Sequence, residues 1–156
     1  MIENLVSRNT VFIKESFDSK EALFRYLSHQ LFLNQKIKDE NDFFQGLLER
    51  ESIITTGIGG GIAIPHTKNK SVISPFVGFL KLTKGMSYDA LDQKNVDLIF
   101  VIGVGDNAER LHLEILANLS RYLLDEEFSK ALRETNDPQI LYETLKIVES
   151  EKKIWT

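Results

Sequence analysis

The chain has 156 residues, no cysteine, 42% apolar and 27% charged residues, and a formal net charge of −4. That balance fits one soluble globular domain with a single sizeable core, and it excludes disulfides, thiolate metal sites and cysteine nucleophiles. The acidic excess argues against nucleic-acid binding, which draws on Lys and Arg contacts to phosphates, and no apolar run approaches the ~18 residues of a membrane span.

No repeat, low-complexity tract or linker divides the sequence, so residues 1–156 are expected to form one domain. MIENLVSRNT at the start lacks a signal-length apolar segment, which makes the cytoplasm the expected location. Thr10 to Lys14 is short and β-rich and predicts a first strand. Asp18 or Ser19 can cap a helix to about Gln35, with Glu21 in its first turn. Leu23, Tyr26, Leu27 and Leu31 share one face of it, and His29 falls off that stripe as a surface residue. Asp39 can cap a second helix through about Glu51 that buries Phe43 and Leu47, and Phe44 and Leu48 beside them. Arg50 ends it.

Past Pro75, Phe76 to Leu82 predicts a strand, while Gly85 and the segment Asp89 to Asn95 read as turns. Val96 to Val104 is apolar almost throughout, as in a central strand covered on both faces. Gly105, Asp106 and Asn107 stop it and open a helix from about Ala108 to Leu124. Leu111, Ile115, Leu119 and Tyr122 recur there at helical spacing, with His112 and Leu116 on an adjoining line. Asp125 can cap a helix carrying Phe128 and Leu132. Asp137-Pro138 starts a last helix through Leu141, Leu145 and Val148, with a frayed polar end, ESEKK. Three or four strands and five helices give an α/β domain, a central sheet with helices on both faces.

Between the second helix and Pro75 lies Thr55 to Lys68, TTGIGGGIAIPHTK, with four of the nine glycines and one of the three histidines. Its glycines allow positive φ and close backbone approach. Ile62 to Ile64 is a short run suited to a buried strand, and Pro65 holds Ile64 extended. A loop of high backbone freedom thus leads into a stiff anchor that aims His66. The loop is neither a Walker A motif, having no lysine at the right spacing, nor a GxGxxG fingerprint, since Ile62 stands at the last glycine. It can still cradle an anion through backbone N–H groups, or it can be a structural turn.

Neutral imidazole offers a nucleophilic lone pair near pH 7, so His66 is a candidate nucleophile. His112, in the first turn of a helix, stands where an anion is favoured. Arg50 carries a planar fork suited to phosphoryl oxygens. If the fold gathers them, one histidine accepts a phosphoryl group while the other and the arginine stabilise its oxygens, with no metal needed. Each residue also has a plainer reading as a surface or helix-end side chain. A zinc site is poorly supported by two such distant histidines.

The run ERESIITTGIGGGIAIPH from Glu49 to His66 resembles the enzyme IIA domain of fructose–mannitol type in the bacterial sugar phosphotransferase system. The likeness continues through SKEALFRYLSHQL, Leu91-Asp92, Val96 to Val104 and HLEILANLSRYLLD. The resemblance implies a mixed central sheet with helices on both faces, and a cytoplasmic phosphocarrier without cofactor. In it His66 takes a phosphoryl group from phospho-HPr and passes it to a cysteine of enzyme IIB. His112 supports that group, and Arg50 helps neutralise it. Thr56 and Gly57 fall on the loop beside the site, the sugar being selected mainly by the membrane component, enzyme IIC. Where the family usually has a small residue after Pro-His, this chain has Thr67, which could crowd the loop or supply a hydrogen bond near the imidazole.

A regulatory, nitrogen-related enzyme IIA would carry the same residues and is the alternative expectation. A metal- or small-molecule-binding module ranks behind it. A domain of a transcriptional antiterminator is disfavoured by the initiating Met1 and the lack of a helix-turn-helix segment.

Overall fold

The structure, a computed structural model, describes residues 5–150. In chain order the elements are β1 Val11–Lys14, α1 Lys20–Leu33, α2 Glu40–Ile53, β2 Gly57–Gly59, β3 Ile62–Ala63 and β4 His66–Lys68. They continue with β5 Phe76–Met86, β6 Val96–Val104, α3 Glu109–Leu123, α4 Glu126–Arg133 and α5 Pro138–Ser150. The expected caps hold three of the helices. Ser19 accepts from the Ala22 N–H, Asp39 from Asp42 and Asp125 from Glu127, each satisfying a donor that the first helical turn leaves unpaired.

The sheet is mixed, with strand order β1-β5-β6-β3-β2, and β4 also pairs with β6. The two long strands, β5 and β6, run antiparallel at its centre. Alternation along them sorts the core into two layers. Phe79, Phe100 and Ile102 pack against Ile115, Leu119, Leu132 and Leu145 of α3–α5. Leu80, Ile99 and Val101 face Leu23, Leu27, Phe43 and Leu47 of α1 and α2. Each such side chain contributes about 1.5–3 kcal/mol by leaving water, and helices therefore cover both faces as expected.

Several boundaries differ from the sequence reading. The glycine-rich loop is not irregular but a short hairpin, β2 with β3, so the sheet has six strands. Gly85 lies inside β5, which reaches Met86 across a register shift, rather than in a turn. Helix α1 stops at Leu33 because Gln35 takes φ 61°. Of the polar end expected to fray, Glu149 is buried and accepts from the Val6 N–H at 3.1 Å. Residues 151–153 lie outside the described segment.

Candidate functional site

Pro65 organises the site. It has no N–H to give a ladder, so the strand that begins as β3 is interrupted and resumes as β4. The interruption does not change the register: Ile62 and Ala63 lie beside Leu98 and Ile99, and His66 to Lys68 lie beside Ile102 to Val104. The Pro65 carbonyl still accepts from the Ile102 N–H at 3.0 Å. His66 is therefore fixed to the central strand rather than carried on a free loop.

Nδ1 of His66 lies 2.7 Å from the Ile64 carbonyl. A carbonyl only accepts, so the proton is on Nδ1 and Nε2 keeps its lone pair. Arg50, in the last turn of α2, donates through Nε to that Nε2 at 3.2 Å and through Nη1 to the Ile54 carbonyl at 3.0 Å. His112 arrives from α3, its ring centroid 5.0 Å from that of His66 and its plane tilted by 53°. Its Nε2 is buried without a hydrogen-bond partner. The three residues singled out in the sequence thus meet in one cleft of about 470 Å³, closed by Gly46 and Ile53 of α2 and by Lys68.

Electrostatics keep both rings neutral near pH 7. Burial pushes the pKa of His66 down and the Arg50 charge adds to that, against the opposing pull of the Ile64 carbonyl and Glu51. His112 is pushed down to about 4, first by burial and then by His66, Lys68 and Arg50. A neutral nucleophile whose lone pair is held only by a 3.2 Å hydrogen bond from Arg50, and an unpartnered ring nitrogen opposite, make an arrangement able to accept a phosphoryl group once Arg50 turns to its oxygens.

Thr56 and Gly57 do not line this cleft. Thr56 donates its N–H to Glu51 at 2.8 Å and its hydroxyl to the other Glu51 oxygen at 2.7 Å, beside the Tyr88 hydroxyl at 2.8 Å. The Gly57 N–H goes to Thr55 Oγ1 at 3.1 Å, and a Cβ on Gly57 would stand 2.7 Å from that of Ala90. Together they bind the segment after α2 to the body of the protein. The Thr67 hydroxyl is not turned to the imidazole either: it donates to the Lys68 carbonyl at 3.3 Å. Room for its branched side chain comes from Gly46, where a Cβ would lie 2.9 Å from Thr67 Oγ1.

Two residues escaped the sequence reading. Lys68 lines the cleft, and its position two after His66 in an extended segment was the available signal. Glu51 holds Thr56 and accepts from Lys20 at 2.9 Å, but a glutamate within Glu49-Arg50-Glu51 gives no hint of burial. A larger hollow, about 1020 Å³, lies between the glycine hairpin and α4. It holds no histidine, so the chemistry follows the groups rather than the volume. Among the described residues no three His, Asp or Glu side chains gather as metal ligands, and no helix is long and apolar enough to cross a membrane.

The family model for the phosphoenolpyruvate-dependent sugar phosphotransferase system, EIIA 2, matches residues 4–147. A fructose-specific EIIA component of Haloferax volcanii is 33% identical over 92% of this chain and 94% of its own length. A fructose-specific EIIABC component of Bacillus subtilis is equally similar, and there this chain spans only 23% of the relative. A nitrogen regulatory protein homolog of Haemophilus influenzae is 32% identical over 95% of this chain and 92% of its own. Among solved structures, the nitrogen regulatory protein IIA-Ntr of Neisseria meningitidis superposes with TM-score 0.83 at 27% identity, covering 90% of this chain and 96% of that one. The IIA mannitol structure of Escherichia coli shares the fold, with TM-score 0.76 at 23% identity over 90% of this chain and 98% of that one.

Proposed function

We propose, for a chain that belongs to the EIIA 2 family of the phosphoenolpyruvate-dependent sugar phosphotransferase system, that His66 is the carrier of the travelling phosphoryl group. The observation behind this is the tautomer: the Ile64 carbonyl holds the proton on Nδ1 and leaves the Nε2 lone pair facing the cleft, 3.2 Å from Arg50. In the first half-reaction Nε2 attacks phosphorus and an N–P bond forms. The bond between phosphorus and phospho-HPr breaks, and its electron pair leaves with HPr. The ring then keeps its Nδ1 proton on the Ile64 carbonyl and is positively charged, which makes it a good leaving group. In the second half-reaction a cysteine thiolate of enzyme IIB attacks phosphorus, the N–P bond breaks, and the electrons return to Nε2.

Arg50 and His112 act on the oxygens between those events. Arg50 brings a permanent charge, and His112 a neutral ring nitrogen whose missing partner a phosphoryl oxygen supplies. Both protein partners work in the cytoplasm, where we place this chain. The expected result is that phospho-HPr labels the chain and that His66→Ala removes all label. An unlabelled wild-type chain would reject the reading. The nearly full-length likeness to nitrogen regulatory proteins supports a second reading, in which the phosphorylated state controls a partner instead of feeding a sugar. Discharge of labelled chain by a purified enzyme IIB favours transport, and a stable label in its presence favours regulation.

A further inference from the structure

We infer that Lys68 is a second phosphate-binding cation of this site, handed from Glu109 to the phosphoryl group when His66 is loaded. The inference rests on the carrier role of His66. A phosphoryl group near neutral pH carries close to two negative charges. Arg50 supplies one permanent positive charge and neutral His112 none, while the charge of the loaded ring lasts only as long as the N–P bond, so the arriving and departing group meets a single fixed cation.

Lys68 is placed to make up the difference. It follows His66 by two positions on β4, and side chains two apart in a strand leave on the same face. Both reach the same helix: the His66 ring lies 5.0 Å from His112, and Lys68 Nζ lies 3.2 Å from Glu109. Glu109 and His112 are three residues apart on α3 and so are neighbours on one surface of it. The strand pair and the helix pair therefore stand side by side, with Lys68 bordering the cleft.

The present partner is a weak one. The Lys68 and Glu109 side chains are 36% and 77% exposed, and pairs so open to water hold their members loosely. A phosphoryl dianion offers Lys68 twice the charge and several oxygens, in a less hydrated place. Glu109 then serves to park the ammonium near the cleft instead of neutralising it permanently.

The test is single-turnover loading by phospho-HPr of the wild-type chain, K68M, K68R and E109Q, with ³¹P NMR titration of the loaded forms. K68M is expected to load about tenfold more slowly, the scale of one charge-assisted hydrogen bond, and its phosphoryl group to titrate at higher pH. K68R keeps the charge and should load within about threefold of wild type by the same argument. E109Q should load at least as fast as wild type.

Wild-type rate and titration in K68M would overturn the assignment while leaving His66 as carrier. So would an E109Q as slow as K68M, since the ion pair would then be structural. Failure of the wild-type chain to load would overturn both readings. Should K68M lose its thermal transition, K68R and E109Q decide.

Discussion

The seam where β3 and β4 pair with β6 has a charged cluster at each end, and the two clusters are built on opposite terms. At the end where β6 begins, Arg133 donates twice to Asp97, at 2.8 Å each, and once to the Gly60 carbonyl at 2.7 Å. Lys81 completes that knot, giving hydrogen bonds to the Arg133 and Thr135 carbonyls at 2.8 and 2.6 Å. Gly61 is required there, because its φ is +80° and a Cβ would press on Asp97 Oδ1 at 2.6 Å. At the end where β6 finishes, His112 has a buried nitrogen with no partner and Arg50 rests on a ring nitrogen and one carbonyl. A network whose groups are satisfied holds structure together; one with groups left wanting can hold something else.

The largest expected contrast comes from removing one member of each cluster. R50A and H112A should each slow loading by phospho-HPr about 10²–10³-fold, the scale for losing one preorganised stabilising group. D97N should leave that rate unchanged and lower the unfolding free energy by about 1 kcal/mol, since its pair with Arg133 is half-exposed. Stopped-flow loading and urea melts on the same three variants separate the outcomes. A D97N chain that loads as slowly as R50A would erase the distinction.

A smaller effect tests how the site end is packed. G46A should cost about 1–3 kcal/mol by overpacking against Thr67 and Asn69, each 2.9 Å from the added Cβ, and adding T67A should recover about half of it. Urea denaturation of the four combinations gives the coupling, and purely additive losses would show that the two residues do not share the space.

A last effect is in pH. His112 titrates near 4 in the folded chain, below the ordinary histidine range, and His66 is also lowered. Between the unfolded and folded values the unfolded chain binds more protons, so stability falls as pH drops from about 6.5 toward 4. Thermal midpoints across that interval should decline less steeply in H112Q. An identical slope would mean that other groups carry it.

The elements the sequence disclosed best were those set by local rules. Ser19, Asp39 and Asp125 each cap the helix expected of them, and the almost wholly apolar run Val96 to Val104 is β6 residue for residue. The hairpin around Gly59 to Gly61 was hidden, because strands of two or three residues have too little periodicity to read. His66, Arg50 and His112 could be named from their chemistry and from the resemblance, yet only the fold brings α2, β4 and α3 together. The pairing of Thr67 with Gly46 lies between segments 21 positions apart on different elements, and nothing in either neighbourhood announces it.

The unshifted alignment of Ile62 and Lys68 with the same neighbour makes the two-residue gap at Ile64-Pro65 a ruler. Side chains on an extended backbone change sides with every step, so one residue more or fewer in that gap would turn the imidazole away from α3 while every helix stayed in place. Such a slip would also turn Thr67 out of its notch at Gly46, so the site and part of the packing against α2 would be lost together. For the proposed carrier role, the length of this gap matters as much as the histidine it delivers.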